Sequence, residues 1–140
     1  MSEKRILEQL ESVTFKILAD MFFLFPEEIK DINLPKEIFE GKISINSENK
    51  INLRFFISQK LAKTMAENFM GEVVSEDEIN EVIKEFVNMI GGNFIARIDP
   101  EGKKKLDLPY VTKTKTINLV PDLKKYEIEG EFFAFTIERE

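Results

Sequence analysis

The segment GKISINSENKINLRFFISQKLAKTMAENFMG, from Gly41 to Gly71, contains the pattern that decides the fold of this chain. Apolar and polar residues alternate on both sides of Ser47-Glu48-Asn49, which predicts a β-hairpin with its turn at these three residues. The spacing changes at Gln59, where a three- and four-residue period predicts a helix to Met70 with Gly71 as its C-cap. A hairpin followed directly by a helix indicates an α+β domain.

Helical and extended segments flank this unit on both sides. Residues 3 to 24 repeat apolar side chains at helical spacing, and Pro26 is expected to end that helix. Ser75 and Glu78 have the spacing of a capping box, which predicts the start of a further helix. This helix is expected to run to about Ile90 or Gly91, with the pair Gly91-Gly92 as its stop. Beyond it, the pattern predicts a strand over residues 93–98, a turn over 99–102, and extended chain over 108–120 and 129–140.

The order of elements hints at an internal repeat, because a helix, a loop and strands occur in each half. When Ala19–Phe23 is laid on Val87–Gly91, the methionines coincide, and Asp20 falls at the place of Asn88. Identity between the halves is too low to prove a duplication.

The composition limits the possible functions. The 140 residues are enough for one domain with a sizeable core, and we assign residues 1–140 to a single domain. The net charge of −6 argues against nucleic-acid binding, which requires a basic surface. The one basic run, Lys103 to Lys105, lies in an expected loop and is interpreted as solvated.

The absence of two residue types excludes more. The chain contains no histidine and no cysteine, so imidazole bases, thiolate nucleophiles, disulfides and histidine-ligated zinc are all excluded. The remaining chemistry must come from carboxylates, amides, hydroxyls, lysines and backbone groups, or from a partner. The N-terminus lacks the pattern of a secretory signal, and the longest apolar run, Met21 to Phe25, is too short to span a bilayer. We therefore expect a cytoplasmic protein without membrane insertion.

The helix after Ser75 carries the candidate site. A helical wheel places its apolar residues on one side and a polar row on the opposite side. The apolar residues are Ile79, Val82, Ile83, Phe86 and Ile90, and the polar row is Glu81, Glu85 and Asn88. The row is either a solvated helix face or a pair of side chains, Glu85 and Asn88, held by a rigid element for chemistry on a docked partner.

The row Glu85-x-x-Asn88, followed by Met-Ile-Gly-Gly-Asn, resembles the signature helix of the CheX/CheC family of chemotaxis phosphatases. In that family a Glu-x-x-Asn is followed by a glycine and, further along, by a proline, which Leu108-Pro109-Tyr110-Val111-Thr112 resembles here. The hairpin and helix of Gly41–Gly71 and the strand Gly130–Ile137 also fit the family. The resemblance covers almost the whole chain and implies a CheC-like fold in a single CheX-like phosphatase domain. Together with the order of elements, it implies an α+β fold of two pseudo-symmetric halves, with antiparallel strands joined in one sheet and packed by long α-helices.

The resemblance also implies a function. It implies dephosphorylation of the aspartyl phosphate of a CheY-type response regulator, with Asn88 holding the attacking water and Glu85 pairing with the regulator's active-site lysine. The protein would need no cofactor of its own, because the regulator supplies Mg²⁺ together with its own lysine and threonine. Met89 is a candidate for apolar docking contact, and equally for the core. One-site members of the family pair through sheet edges, so a homodimer is expected, and Phe132–Ile137 is a candidate edge strand.

Two departures from the family pattern leave alternatives open. Glu81 stands where the family usually has Asp or Ser, which affects how the surface meets its partner. Ile17 and Asp20 stand where two-site members have a second Glu and Asn, so one site is expected. The alternatives are a non-catalytic CheC-like or flagellar-switch-like module that binds a regulator, and a small-ligand-binding domain in which the row has no role. Exposure of Glu85 and Asn88 on an open ridge would favour the first two interpretations.

Overall fold

The computed structural model describes residues 2–29, 34–114 and 123–140. The described chain forms three α-helices and seven β-strands. The helices are α1 (Glu3–Phe22), α2 (Gln59–Met70) and α3 (Glu76–Ile98). The strands are β1 (Glu27–Glu28), β2 (Ile38–Asn46), β3 (Ile51–Ser58), β4 (Lys105–Leu106), β5 (Tyr110–Thr114), β6 (Lys124–Ile128) and β7 (Glu131–Arg139).

The predicted hairpin is confirmed. Strands β2 and β3 pair antiparallel, with Ile45 opposite Ile51 across the turn. Helix α2 begins directly after β3 and ends at Met70, where Gly71 adopts a left-handed conformation (φ 76°) that glycine reaches without a steric penalty. The prediction for this unit was accurate because both the strand and the helix have one strongly apolar side.

The pairing of the described strands reveals the expected two halves. The sheet order is β1-β6-β7-β3-β2-β4, and β5 also pairs with β2. The first half supplies α1, β1, β2 and β3, and the second supplies α3, β5, β6 and β7. The first strand of each half pairs with the hairpin of the other half, since β1 joins β6 and β5 joins β2. The fold is therefore α+β with a pseudo-symmetric, wholly antiparallel sheet.

The position of β7 corrects one prediction. The segment Phe132–Ile137 lies inside β7, which pairs with β3 on one side and β6 on the other, so it is not an edge strand. Both of its faces are apolar and buried. Phe133 and Phe135 face the helices, whereas Phe132 and Ala134 join a small apolar cluster on the opposite face. A strand that alternates between two apolar faces is typical of the middle of a sheet.

All three helices contribute to one core on the same face of the sheet. The core is rich in phenylalanine, and Phe86 of α3 lies at its centre, with ring contacts to Phe22 of α1, Phe55 of β3 and Phe133 of β7. The opposite face of the sheet carries polar contacts beside the small apolar cluster. Arg54 of β3 forms ion pairs there with Glu40 of β2 and Glu138 of β7.

Helix α1 ends slightly earlier than predicted. Its last residue is Phe22, and Phe23 adopts a left-handed conformation (φ 58°) that stops the helix before Pro26 is reached. The apolar run that follows is split between two environments. Phe22 and Leu24 are buried, whereas Phe23 and Phe25 are 65% and 72% exposed.

The prediction for the end of α3 was wrong. The helix does not stop at Gly91 or Gly92 but continues to Ile98, so residues 93–98 are helical rather than a strand. Phe94 packs in the core at the helical spacing set by Phe86 and Ile90, and this burial stabilises the helix through the two glycines. The predicted turn follows, with the Gly102 amide donating to the Asp99 carbonyl at 3.1 Å. Strand β5 confirms extended chain over 110–114, while residues 115–120 lie outside the described ranges.

Candidate functional site

The candidate site is carried by α3, which has a well-defined start. The Ser75 hydroxyl accepts from the Glu78 amide at 3.3 Å, and the Glu78 carboxylate accepts from the Ser75 amide at 3.0 Å. This is the predicted capping box. The bonds from the Ser75 backbone and side chain hold the pKa of Glu78 below its ordinary value. The first turn of the helix is therefore fixed before the site begins.

The position of α3 over the sheet is fixed by two close contacts. A Cβ added to Gly41 of β2 would lie 2.6 Å from Val87 Cγ2. A Cβ added to Gly91 would lie 2.8 Å from Leu106 Cδ1 and 3.2 Å from Ile43 Cδ1. Real Cβ atoms essentially never approach other atoms as closely as the shortest of these distances. Gly91 is thus a packing residue that lets the helix lie close to β2, not the helix stop that its sequence context suggested.

The outer side of α3 carries the predicted pair. Glu85 and Asn88 are both exposed, whereas Phe86, Val87 and Ile90 between and beside them are buried. Residues three apart on a helix are neighbours on its surface, so the two side chains lie side by side. Neither forms a hydrogen bond or an ion pair with any residue in the described ranges. A carboxylate and a carboxamide are therefore available together on a rigid ridge.

An open groove borders Glu85 where α2 meets α3. Its floor is apolar and its rim is acidic. The floor is formed by Phe69, Met70 and Val82, and the rim by Asp77, Glu78, Glu81 and Glu85. Sequence analysis missed the contribution of α2, since only the packing of α2 against α3 brings Phe69 and Met70 beside Glu85. The groove is open, which favours the regulator-binding interpretations over a closed small-ligand pocket.

The residues that depart from the family pattern lie either on the surface or against the core. Glu81 is exposed and accepts from Lys84 at 3.3 Å, so it adds an acidic group one turn before Glu85. On α1, Ile17 is partly buried and packs against the core, while Asp20 is exposed. Helix α1 contains no asparagine, so it cannot repeat the Glu-x-x-Asn row.

Three further sequence features are placed by the fold. Met89 is partly buried against the core, which agrees with the core alternative for that residue. In the basic run, Lys103 is exposed in a loop and lies 2.9 Å from Glu101, as predicted, whereas Lys105 lies in β4 and not in a loop. Pro109 lies between β4 and β5, which both pair with β2.

The described ranges contain neither a membrane-spanning helix nor a cluster of metal ligands. No helix there has both the length and the apolar character needed to cross a membrane. No group of three or more carboxylates there is placed to hold a metal ion.

The pseudo-symmetric antiparallel sheet packed by long helices is the fold of the CheC-like proteins. A profile of the family described as chemotaxis phosphatase CheX matches residues 39–132, more than half of the chain. The chain belongs to the CheX family of chemotaxis phosphatases. A comparison with curated proteins gave no significant match.

Solved structures show the same fold. The chemotaxis protein CheX from Vibrio vulnificus has 16% identity and a TM-score of 0.82, over 99% of this chain and 97% of that one. The CheX–CheY–BeF3–Mg complex from Borrelia burgdorferi has 13% identity and a TM-score of 0.70, over 96% and 97% of the two chains. FliY from Thermotoga maritima is less similar, with 12% identity and a TM-score of 0.62, over 96% and 90%.

Proposed function

We propose that this protein dephosphorylates the aspartyl phosphate of a CheY-type response regulator. Asn88 holds the attacking water, and Glu85 pairs with the regulator's active-site lysine. The observation that carries the proposal is that Glu85 and Asn88 are both exposed on the outer side of α3, and neither bonds to any residue that the structure describes. Membership of the CheX family and the binding of CheY by the Borrelia CheX are consistent with this partner.

The reaction suits the residues that are available. The oxygen of a water molecule attacks phosphorus, and the bond between phosphorus and the aspartyl oxygen breaks. The products are a free aspartate carboxylate and inorganic phosphate, and the proton released by the water passes to phosphate or to solvent. Catalysis of phosphoryl transfer depends largely on positioning and charge stabilisation, so a carboxamide contributes by orienting the water without acting as a base. The absence of histidine and cysteine is therefore no obstacle.

The partner supplies the remaining parts of the site. In this proposal Mg²⁺, the lysine and the threonine belong to the receiver domain of the regulator, and this chain adds one amide and one carboxylate. A rigid helix suits that role because small displacements of a positioning group cost large factors in rate. The contacts of Gly41 and Gly91 supply the rigidity, since they leave α3 no space to move toward the sheet.

One experiment tests the proposal directly. CheY-type receivers from the same organism are phosphorylated with acetyl phosphate, and the decay of the phosphoryl group is followed with and without this protein. We expect faster decay with the wild type, a loss of about a hundredfold of that acceleration in Asn88→Ala, and a strong loss in Glu85→Ala. Asn80→Ala is the matched control, because Asn80 is on the same helix but not in the row of Glu85 and Asn88.

A second candidate is a module that binds the regulator without hydrolysing its phosphate. The observation in its favour is Glu81, an exposed carboxylate where the family usually has Asp or Ser. The same experiment separates the two functions. Equal decay rates with the wild type and Asn88→Ala, together with tight binding by both proteins, would favour the binding module.

We also propose a cytoplasmic homodimer. Because β7 is internal, a sheet-edge contact through the described strands would use the β1–β6 side or the β4–β5 side of the sheet. Exposed strand edges tend to be covered in stable proteins. Sedimentation analysis would show a dimer, and a monomer at all micromolar concentrations would contradict this proposal.

A further inference from the structure

Gly92 lies one helical turn after Asn88, and no packing contact among the described residues requires glycine there. Apart from the backbone of its own helix, a Cβ added at this position would have no heavy atom of the described residues within 4 Å, whereas Gly91 beside it is tightly packed. Gly92 is exposed, and it is not among the glycines that have a positive φ. It is not a helix cap either, because α3 continues to Ile98. Alanine would fit here and would favour the helix.

The geometry of a helix shows what a side chain at position 92 would cover. Each Cα–Cβ bond tilts toward the N-terminus of its helix, and the side chain lies over the preceding turn. A side chain on residue 92 would therefore extend toward Asn88, four residues earlier. It would fill the space beside the carboxamide on the exposed face of α3.

We propose that Gly92 is a positioning residue of the Asn88 site, whose missing side chain leaves room for the phosphorylated receiver to approach the α3 backbone beside that carboxamide. This inference rests on the proposed function and adds a contact to it. With glycine at this place, the receiver surface can come closer to the helix by the depth of a side chain. Asn88 then reaches further into the partner. Glycine has a lower helix propensity than alanine, and the packing of the fold does not require glycine here. A residue that breaks a local rule in this way is expected at a functional site.

The test is a graded series at this position, Gly92→Ala and Gly92→Gln, with Ala96→Gln as the matched control. Ala96 is exposed on the same helix one turn further from Asn88, so the control adds the same side chain over the following turn and not beside the carboxamide. The measurements are the melting temperature, the decay of the acetyl-phosphate-loaded receiver, and the Kd for the same receiver loaded with beryllofluoride and Mg²⁺.

We expect both Gly92 variants to melt at or above the wild-type temperature, because the added atoms meet open space. Binding and dephosphorylation should fall in the order glycine, alanine, glutamine, with a loss of about tenfold to a hundredfold for Gly92→Gln. Ala96→Gln should leave both unchanged. A role in the fold alone would instead lower the melting temperature and leave binding unchanged in the folded fraction.

The outcomes separate this inference from the proposed function. If the wild type dephosphorylates the receiver and Gly92→Gln is equally fast and binds equally well, the inference is wrong and the function stands. If the wild type binds without hydrolysis and Gly92→Gln binds more weakly, the inference stands and the phosphatase proposal fails. An equal loss in Ala96→Gln, or a drop in melting temperature for Gly92→Ala, would overturn the role of Gly92. A wild type that neither binds nor dephosphorylates any receiver would overturn both.

Discussion

Gly41 of β2 lies directly beneath Val87 of α3, with no room for a side chain between the strand and the helix. Val87 precedes Asn88 in the chain, and the two side chains point in different directions, since Val87 is buried and Asn88 is exposed. The contact under Val87 therefore sets the height of the Asn88 ridge above the sheet. A residue without a side chain, in a different element, determines where the candidate catalytic amide lies.

Adding a methyl group at this contact should destabilise the protein. The Cβ of Gly41→Ala would overlap Val87 Cγ2, and overpacking of a core typically costs about 1–3 kcal/mol. We expect a lower melting temperature and a lower phosphatase rate, because α3 must shift. Gly92→Ala, in open space, is the control and should not lower the melting temperature. Equal melting temperatures for Gly41→Ala and the wild type would show that the contact is not tight.

Removing the charge of Glu85 should change docking more than chemistry. Glu85→Gln keeps the size of the side chain but cannot form an ion pair with the regulator's lysine. We expect KM to rise with a smaller change in kcat, and kcat/KM to become less sensitive to salt. Glu72→Gln, at an exposed position outside the groove and the ridge, is the control. An unchanged salt dependence in Glu85→Gln would argue against the ion pair.

The capping box should make the start of α3 sensitive to acid. Because the pKa of Glu78 is lowered in the folded protein, the unfolded chain binds more protons as the pH falls below the ordinary value. The Glu78 carboxylate makes its full contribution to stability above the ordinary pKa. This contribution is lost as the pH falls through the lowered pKa of the folded protein. We expect wild type to melt above Glu78→Gln at pH of about 7, with a smaller gap at pH of about 3. A gap independent of pH would contradict this.

The hydroxyl of Thr14 should reduce stability rather than increase it. Thr14 of α1 is fully buried, and its Oγ1 has no hydrogen-bond partner among the described residues. Thr14→Val keeps the shape and removes the unsatisfied group, which should stabilise the protein by about 1 kcal/mol. Thr14→Ala is the comparison, because it removes the hydroxyl but leaves a cavity. Urea unfolding would measure the free energy of unfolding of both variants. A Thr14→Val variant less stable than the wild type would mean that the hydroxyl has a hydrogen-bond partner in solution.

The ends of α3 show how far the sequence predicts the fold. Its beginning was predicted because Ser75 and Glu78 form a local capping pattern that depends on few neighbours. Its end was not, because Gly91-Gly92 is locally a good stop. The gain from burying Phe94 against the core lies outside any local window. The same contrast holds for β7. Its local alternation predicted a strand, but its central place in the sheet depends on pairing with β3 and β6 and was not predicted.

The sequence by itself determined which side of α3 faces outward, because apolar spacing fixes the buried side of any helix that packs on a core. It therefore placed Glu85 and Asn88 together, as the structure finds them. Only the tertiary structure decided what surrounds the pair: the groove against α2, the height set by Gly41, and the different roles of two adjacent glycines. These depend on contacts between residues far apart in the chain, which a periodic pattern does not encode.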